Sequence, residues 1–127
     1  MTPTLIKPIE RLKRAQLVFE NQIVDLSTET HKLAATQAFE FCYELAWKTI
    51  KKLFESEGFP IGTPKIAFRK AASEGLISSP EIWFTFQEAR NLTSHTYEQE
   101  TLDEVVAVFK PFSLELDLLI KNLESRV

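Results

Sequence analysis

Between positions 90 and 97 the chain gathers Arg90, Asn91, Thr93, Ser94, His95, Thr96 and Tyr97. The types suit proton transfer beside a held anion. The His95 imidazole is a group suited to taking and giving protons. The Arg90 guanidinium is permanently charged and forked, which suits an anionic oxygen pair. Asn91 can orient either that anion or Arg90, and Ser94 and Tyr97 offer hydroxyls for binding or modification. Spacing constrains how they meet. Arg90 and Ser94 are four apart and share a helix face, whereas Arg90 and His95, five apart, lie about 140° apart on a regular helix. They converge on one ligand only if the helix ends or distorts between them, or if they face partners across an interface. Asn91, Thr93, Ser94 and Thr96 are weak helix formers, so a distortion is expected there. A polar run between helices is equally the ordinary composition of a solvated connection, and a single histidine is often structural. The residues alone leave both readings open.

The elements that must position this stretch read as helices. Leu5, Ile9, Leu12, Phe19, Ile23 and Leu26 recur at three-, four- and seven-residue steps and mark one face of a first helix. A second helix is predicted from about Glu29 to Glu57, with Leu33, Phe39, Tyr43, Ala46, Trp47, Ile50 and Phe54 inward and Gly58 as its stop. Thr63-Pro64 starts a short helix that Gly75 closes, and Ser79-Pro80-Glu81 starts a fourth carrying Ile82, Trp83 and Phe86 inward. In the last helix Leu102, Val105, Phe109, Phe112, Leu116, Leu119 and Leu123 alternate three- and four-residue steps. That is the narrow stripe of a helix packed lengthwise on others. Thr101 to Glu104 reads as its capping box, and Pro111 is expected to kink it without dividing it. No segment sustains period-two alternation. The fold expected is an all-α antiparallel up-and-down helical bundle, four main helices plus a short inserted one, forming a single domain over residues 1–127.

Length and composition agree. At 127 residues the chain suffices for one core, and only 3 glycines leave few tight turns, against a many-stranded barrel or sandwich. One cysteine, Cys42, excludes an internal disulfide and a cysteine-based zinc cluster. Two histidines are too few for a His-rich metal site, so neither a metal nor a cofactor is expected. No window approaches a membrane span or a signal peptide, which sets a cytoplasmic expectation. The net charge of −3 argues against a protein that coats nucleic acid. It conceals an asymmetry: Lys48 to Lys70 is locally +4, and the chain from Glu98 onward is −4. The basic stretch could attract phosphate or be a solvated face.

Arg90-Asn91-Leu92-Thr93-Ser94-His95-Thr96-Tyr97 resembles the R-x4-H-x-Y signature of the HEPN superfamily, in its nucleotidyltransferase-associated, HepT-like branch. Phe39 to Lys48 is similar to the F-E-x-x-x-E-L-A-W-K segment of the nucleotidyltransferase substrate-binding proteins, and so is the run from Ile82-Trp83 into the signature. The resemblance covers roughly Ala38 to Val108. It implies a helical bundle that forms a homodimer with the signature at the dimer groove, and a minimal nucleotidyltransferase as partner. It further implies a toxin-like, metal-independent endoribonuclease. Arg90, Asn91 and His95 would be its catalytic residues, and Tyr97 would be adenylylated by the partner. The alternative it implies is a non-catalytic subunit that binds a nucleotide or substrate phosphate for a two-component nucleotidyltransferase.

The residues are coherent with that implication. Cleavage by the ribose 2′-hydroxyl needs a proton acceptor, a proton donor and a cation at the phosphate. One chain supplies a single signature histidine for two proton roles, and a two-fold pair would supply both. Elsewhere Trp47, Phe39, Tyr43, Phe54, Trp83 and Phe86 read as packing, Cys42 as a buried small apolar group and His31 as a solvated residue near a helix start. Glu44 or Glu88 could orient Arg90, and Glu44 could equally pair with Lys48 four residues on.

Overall fold

The first apolar stripe folds into α1, Ile6–Ile23, entered through a 3-10 turn at Pro3–Leu5. In the computed structural model, which describes residues 3–127, this helix lies along α2, Glu29–Ser56. At 28 residues α2 is about 42 Å long and is the spine of the bundle. Thr28 caps it, its hydroxyl accepting from the His31 amide at 3.1 Å. His31 is also engaged here: its Nδ1 lies 2.6 Å from the Thr28 hydroxyl and its Nε2 3.7 Å from Asp25. Its side chain stays 45% exposed beside the cap.

Gly58 ends α2 at φ +86°, and the Phe59 amide donates back to the Phe54 carbonyl at 2.9 Å. Gly75 repeats the device after α3, Pro64–Ser73, with Leu76 donating to Ala71 at 2.9 Å. Thr63 caps α3, accepting from the Ile66 amide. At the start of α4, Pro80–Leu92, the Ser79 hydroxyl turns to the Glu81 carboxylate at 2.9 Å instead of capping the backbone.

The last stripe is divided. α5 spans Gln99–Val106 and α6 spans Phe109–Glu124, with a turn at Ala107–Val108. A single kinked helix was expected. Pro111 has no N–H for the Ala107 carbonyl and its ring crowds that group. The chain therefore turns there, and Pro111 falls in the first turn of α6, where no intrahelical donor is needed. The apolar seam crosses the turn intact, with Leu102, Val105, Phe109, Phe112, Leu116, Leu119 and Leu123 all buried. The expected capping box at Thr101 lies inside α5, which begins two residues earlier after the extended Glu98.

The molecule is thus an all-α antiparallel bundle, and no strand occurs among the described residues. One apolar cluster draws on α1 to α6. Phe112, 0% exposed, is its hub, with ring centroids 4.8 to 5.7 Å from Phe39, Phe86, Phe19 and Trp83. Leu33 does not join it. Six positions from Phe39, it lies about 240° round the helix, and it is exposed. No described helix is long and apolar enough to cross a membrane.

Candidate functional site

Serine and threonine hydroxyls unwind the end of α4. Thr93 Oγ1 donates to the Arg90 carbonyl at 2.7 Å, and Thr96 Oγ1 donates to the Thr93 carbonyl at 3.2 Å. Ser94 Oγ reaches the Asn91 carbonyl at 3.5 Å. Side chains that bond their own backbone compete with the helical ladder. The chain leaves α4 at Leu92, makes a 3-10 turn over Thr93–His95, and the Glu98 amide closes on the His95 carbonyl. The distortion expected between Arg90 and His95 is therefore present.

Two clusters result. In the first, Arg90 sits in the last turn of α4 and reaches across to α2. Its guanidinium lies 3.5 Å from Glu40 Oε2, and its Nε lies 3.4 Å from Glu44 Oε1 in an ion-pair contact without hydrogen-bond geometry. It also donates to Thr93 Oγ1 at 2.9 Å. Glu44 is fixed in turn by the Trp47 indole N–H at 3.2 Å and approached by Lys48 at 3.8 Å. Both roles foreseen for Glu44 are realised. Glu88 is exposed on α4 and has no ion pair among the described residues, so it does not orient Arg90. The buried Tyr43 phenol packs near this group. Burial pushes its pKa up, the Glu44 carboxylate adds to the rise and Arg90 opposes it.

In the second cluster, His95 Nδ1 and the Tyr97 hydroxyl are 3.2 Å apart, and the two rings meet edge to face at 5.9 Å. Both residues are exposed, Tyr97 at 75%. Asn91 and Ser94 are also exposed. Among the described residues no hydrogen bond or ion pair joins Arg90 to His95. One chain thus presents a paired guanidinium and an exposed imidazole–phenol pair on consecutive turns without closing them into one centre.

Glu40 and Thr93 are partners of Arg90 that the sequence reasoning did not assign. A signal existed for Glu40. It stands four residues before Glu44, and like charges at that spacing repel along a helix unless a cation lies between them. Arg90 also borders an open groove of about 740 Å³ between α1 and α2, whose other walls include Arg11, Arg14, Val18, Phe41 and Leu45. His95 and Tyr97 lie outside it.

With this geometry in view, the relatives are informative. Residues 5–125 match the family model described as nucleotidyltransferase substrate binding protein like. A Haemophilus influenzae protein named probable ribonuclease HepT is 35% identical over 99 residues. That match covers 72% of this chain and 66% of the relative, just under two thirds of its length. Among solved structures, a nucleotidyltransferase substrate-binding domain from Haemophilus influenzae superposes with a TM-score of 0.83 at 29% identity, covering 91% of this chain and 98% of that one. A tri-AMPylated HEPN toxin of Shewanella oneidensis, solved in complex with its MNT antitoxin, superposes at 0.80 with 18% identity, covering 98% and 99%. At that identity the likeness carries the fold alone.

Proposed function

This chain belongs to the nucleotidyltransferase substrate-binding-protein-like family, in the HepT-like branch of the HEPN fold, and we propose that it is a toxin-like endoribonuclease silenced by a minimal nucleotidyltransferase. The observation that carries the reading is the 3.2 Å contact between His95 and the exposed Tyr97 hydroxyl. His95 is free to take the proton of a ribose 2′-hydroxyl as that oxygen attacks the adjacent phosphorus. The 5′-oxygen then leaves with a proton, and a 2′,3′-cyclic phosphate remains. Arg90 offsets charge on the phosphoryl oxygens, and Asn91 orients them. The second proton role falls to His95 of a second copy in a homodimer. Transfer of AMP to the Tyr97 hydroxyl would place an anionic, bulky group within a bond length or two of His95 and occupy the space RNA needs. The 35% identical relative named a probable ribonuclease supports the activity.

The test is incubation of the purified chain with RNA in EDTA. Cleavage leaving cyclic phosphate ends, absent in His95→Ala, is expected; intact RNA with clean dimer overturns the reading. Mixed with the nucleotidyltransferase and ATP, the chain is expected to gain AMP mass, and a gain that survives Tyr97→Phe places the modification elsewhere. One observation favours a second reading. The Arg90 charge is already matched by Glu40 and Glu44, which suits a subunit that holds a substrate phosphate without breaking it. Nucleotide binding by calorimetry, lost in Arg90→Ala in a chain that never cleaves RNA, would select that reading.

A further inference from the structure

Further depressions adjoin the groove that Arg90 borders, toward the start of α1 and the latter half of α2. Arg11 lines three adjoining depressions, of about 740, 470 and 180 Å³, which form one channel. On α1, Lys7, Arg11 and Arg14 stand four and three positions apart on one face. On α2, antiparallel to it, Lys48 and Lys52 line the same end. All five side chains are exposed. Among the described residues no ion pair joins Lys7, Arg11, Arg14 or Lys52 to a carboxylate. The carboxylates that line the channel are Glu40 and Glu44, both turned to Arg90. The channel is therefore cationic at one end and reaches the candidate site at the other. Like charges crowded in a groove repel one another, and among the described residues only Lys48 of the five has a carboxylate partner, Glu44 at 3.8 Å. Its floor near Arg90 is apolar: Phe41 is 52% exposed, beside Val18 and Leu45.

We propose that this channel is a second RNA subsite, holding a single-stranded segment adjacent to the cleaved phosphodiester. The proposal rests on the ribonuclease reading. The cations contact successive phosphates, because residues four apart on a helix advance about 6 Å, a step suited to an extended strand. Phe41 offers a ring face on which a base can stack without sequence preference. The channel's charge fits a polyanion, since unpaired cations gathered in one groove draw phosphates.

The experiment measures fluorescence anisotropy of a labelled single-stranded RNA oligonucleotide on full-length His95→Ala protein, with and without Arg11→Glu/Lys52→Glu. The double reversal is expected to weaken binding at least tenfold at low salt. It should also flatten the dependence of log affinity on log salt by roughly 0.7 for each phosphate no longer neutralised. Arg11→Lys/Lys52→Arg should bind as the parent does, which separates charge from folding. Equal affinity in the reversed protein overturns the proposal. So does a reversal that changes only the oligomeric state or the nucleotidyltransferase complex, or an acidic polypeptide that displaces RNA at equal charge concentration. The two readings fail separately. RNA held through the channel but never cut by the wild-type chain removes the ribonuclease. RNA cut by the wild-type chain at a rate the reversal leaves unchanged removes the channel.

Discussion

Arg90 shows how much a single side chain's surroundings decide. A guanidinium facing two carboxylates is oriented but also partly neutralised, so a phosphate must compete with Glu40 and Glu44 for it. His95 meets no such competition; its ring touches one hydroxyl and solvent. On the proposed reading, proton work falls to the exposed group and the hold on phosphate to the paired one. Cys42 lies at the other extreme. It is fully buried, and burial, with a smaller contribution from the Glu20 carboxylate, pushes its thiol up to about 12. The folded thiol then keeps its proton where the unfolded one, with an ordinary value near 9.0, has lost it. The unfolded state binds fewer protons in that window, so stability falls as pH rises from about 9 toward 12, by on the order of 1 kcal/mol per pH unit. Urea titrations across that range should show the slope in the wild-type chain and a shallower one in Cys42→Ala. A thiol reagent should react at pH 8 only after unfolding.

Helix ends do most of the positioning. The hydroxyls of Thr93 and Thr96 take carbonyls that an uninterrupted helix would have used, and the turn that follows leaves His95 and Tyr97 unjoined to Arg90. Thr63 works in the opposite sense, starting α3 by accepting the Ile66 amide. Thr63→Ala should cost about 1 kcal/mol in chemical denaturation and leave RNA cleavage unchanged, because no α3 side chain is bonded to Arg90, His95 or Tyr97. Pro111 is a third case. It removes one donor, and the whole apolar seam is carried across a two-residue turn, not along one axis.

For the molecule as a whole, the lone signature histidine matters most. If acid and base are His95 residues of two copies, the working unit is a pair. Mixing wild-type chain with excess His95→Ala, under conditions that allow subunit exchange, should lower RNA cleavage as the square of the wild-type fraction. A linear fall, measured from initial rates, would show that each chain works alone. On the proposed reading the acidic net charge is no bar to local RNA binding, because Lys7, Arg11, Arg14, Lys48 and Lys52 line one channel.

Much of this was present in the residues themselves. Helix type, the glycine stops at Gly58 and Gly75, the buried seam from Leu102 to Leu123 and the break after Arg90 all follow from local spacing and backbone propensity. Those forces act over a few residues, so the order of residues is enough to determine them. The signature at 90–97 was legible for the same reason. What required the tertiary structure was every relation between helices. Glu40 rather than Glu88 holds Arg90 alongside Glu44, although Glu88 is its near neighbour in sequence. Arg11 and Lys52, forty-one positions apart, line one channel. Such pairs depend on which face of α1 packs on which face of α2 and at what register. Burial of apolar surface across the whole core settles that, and no single stretch of sequence encodes it.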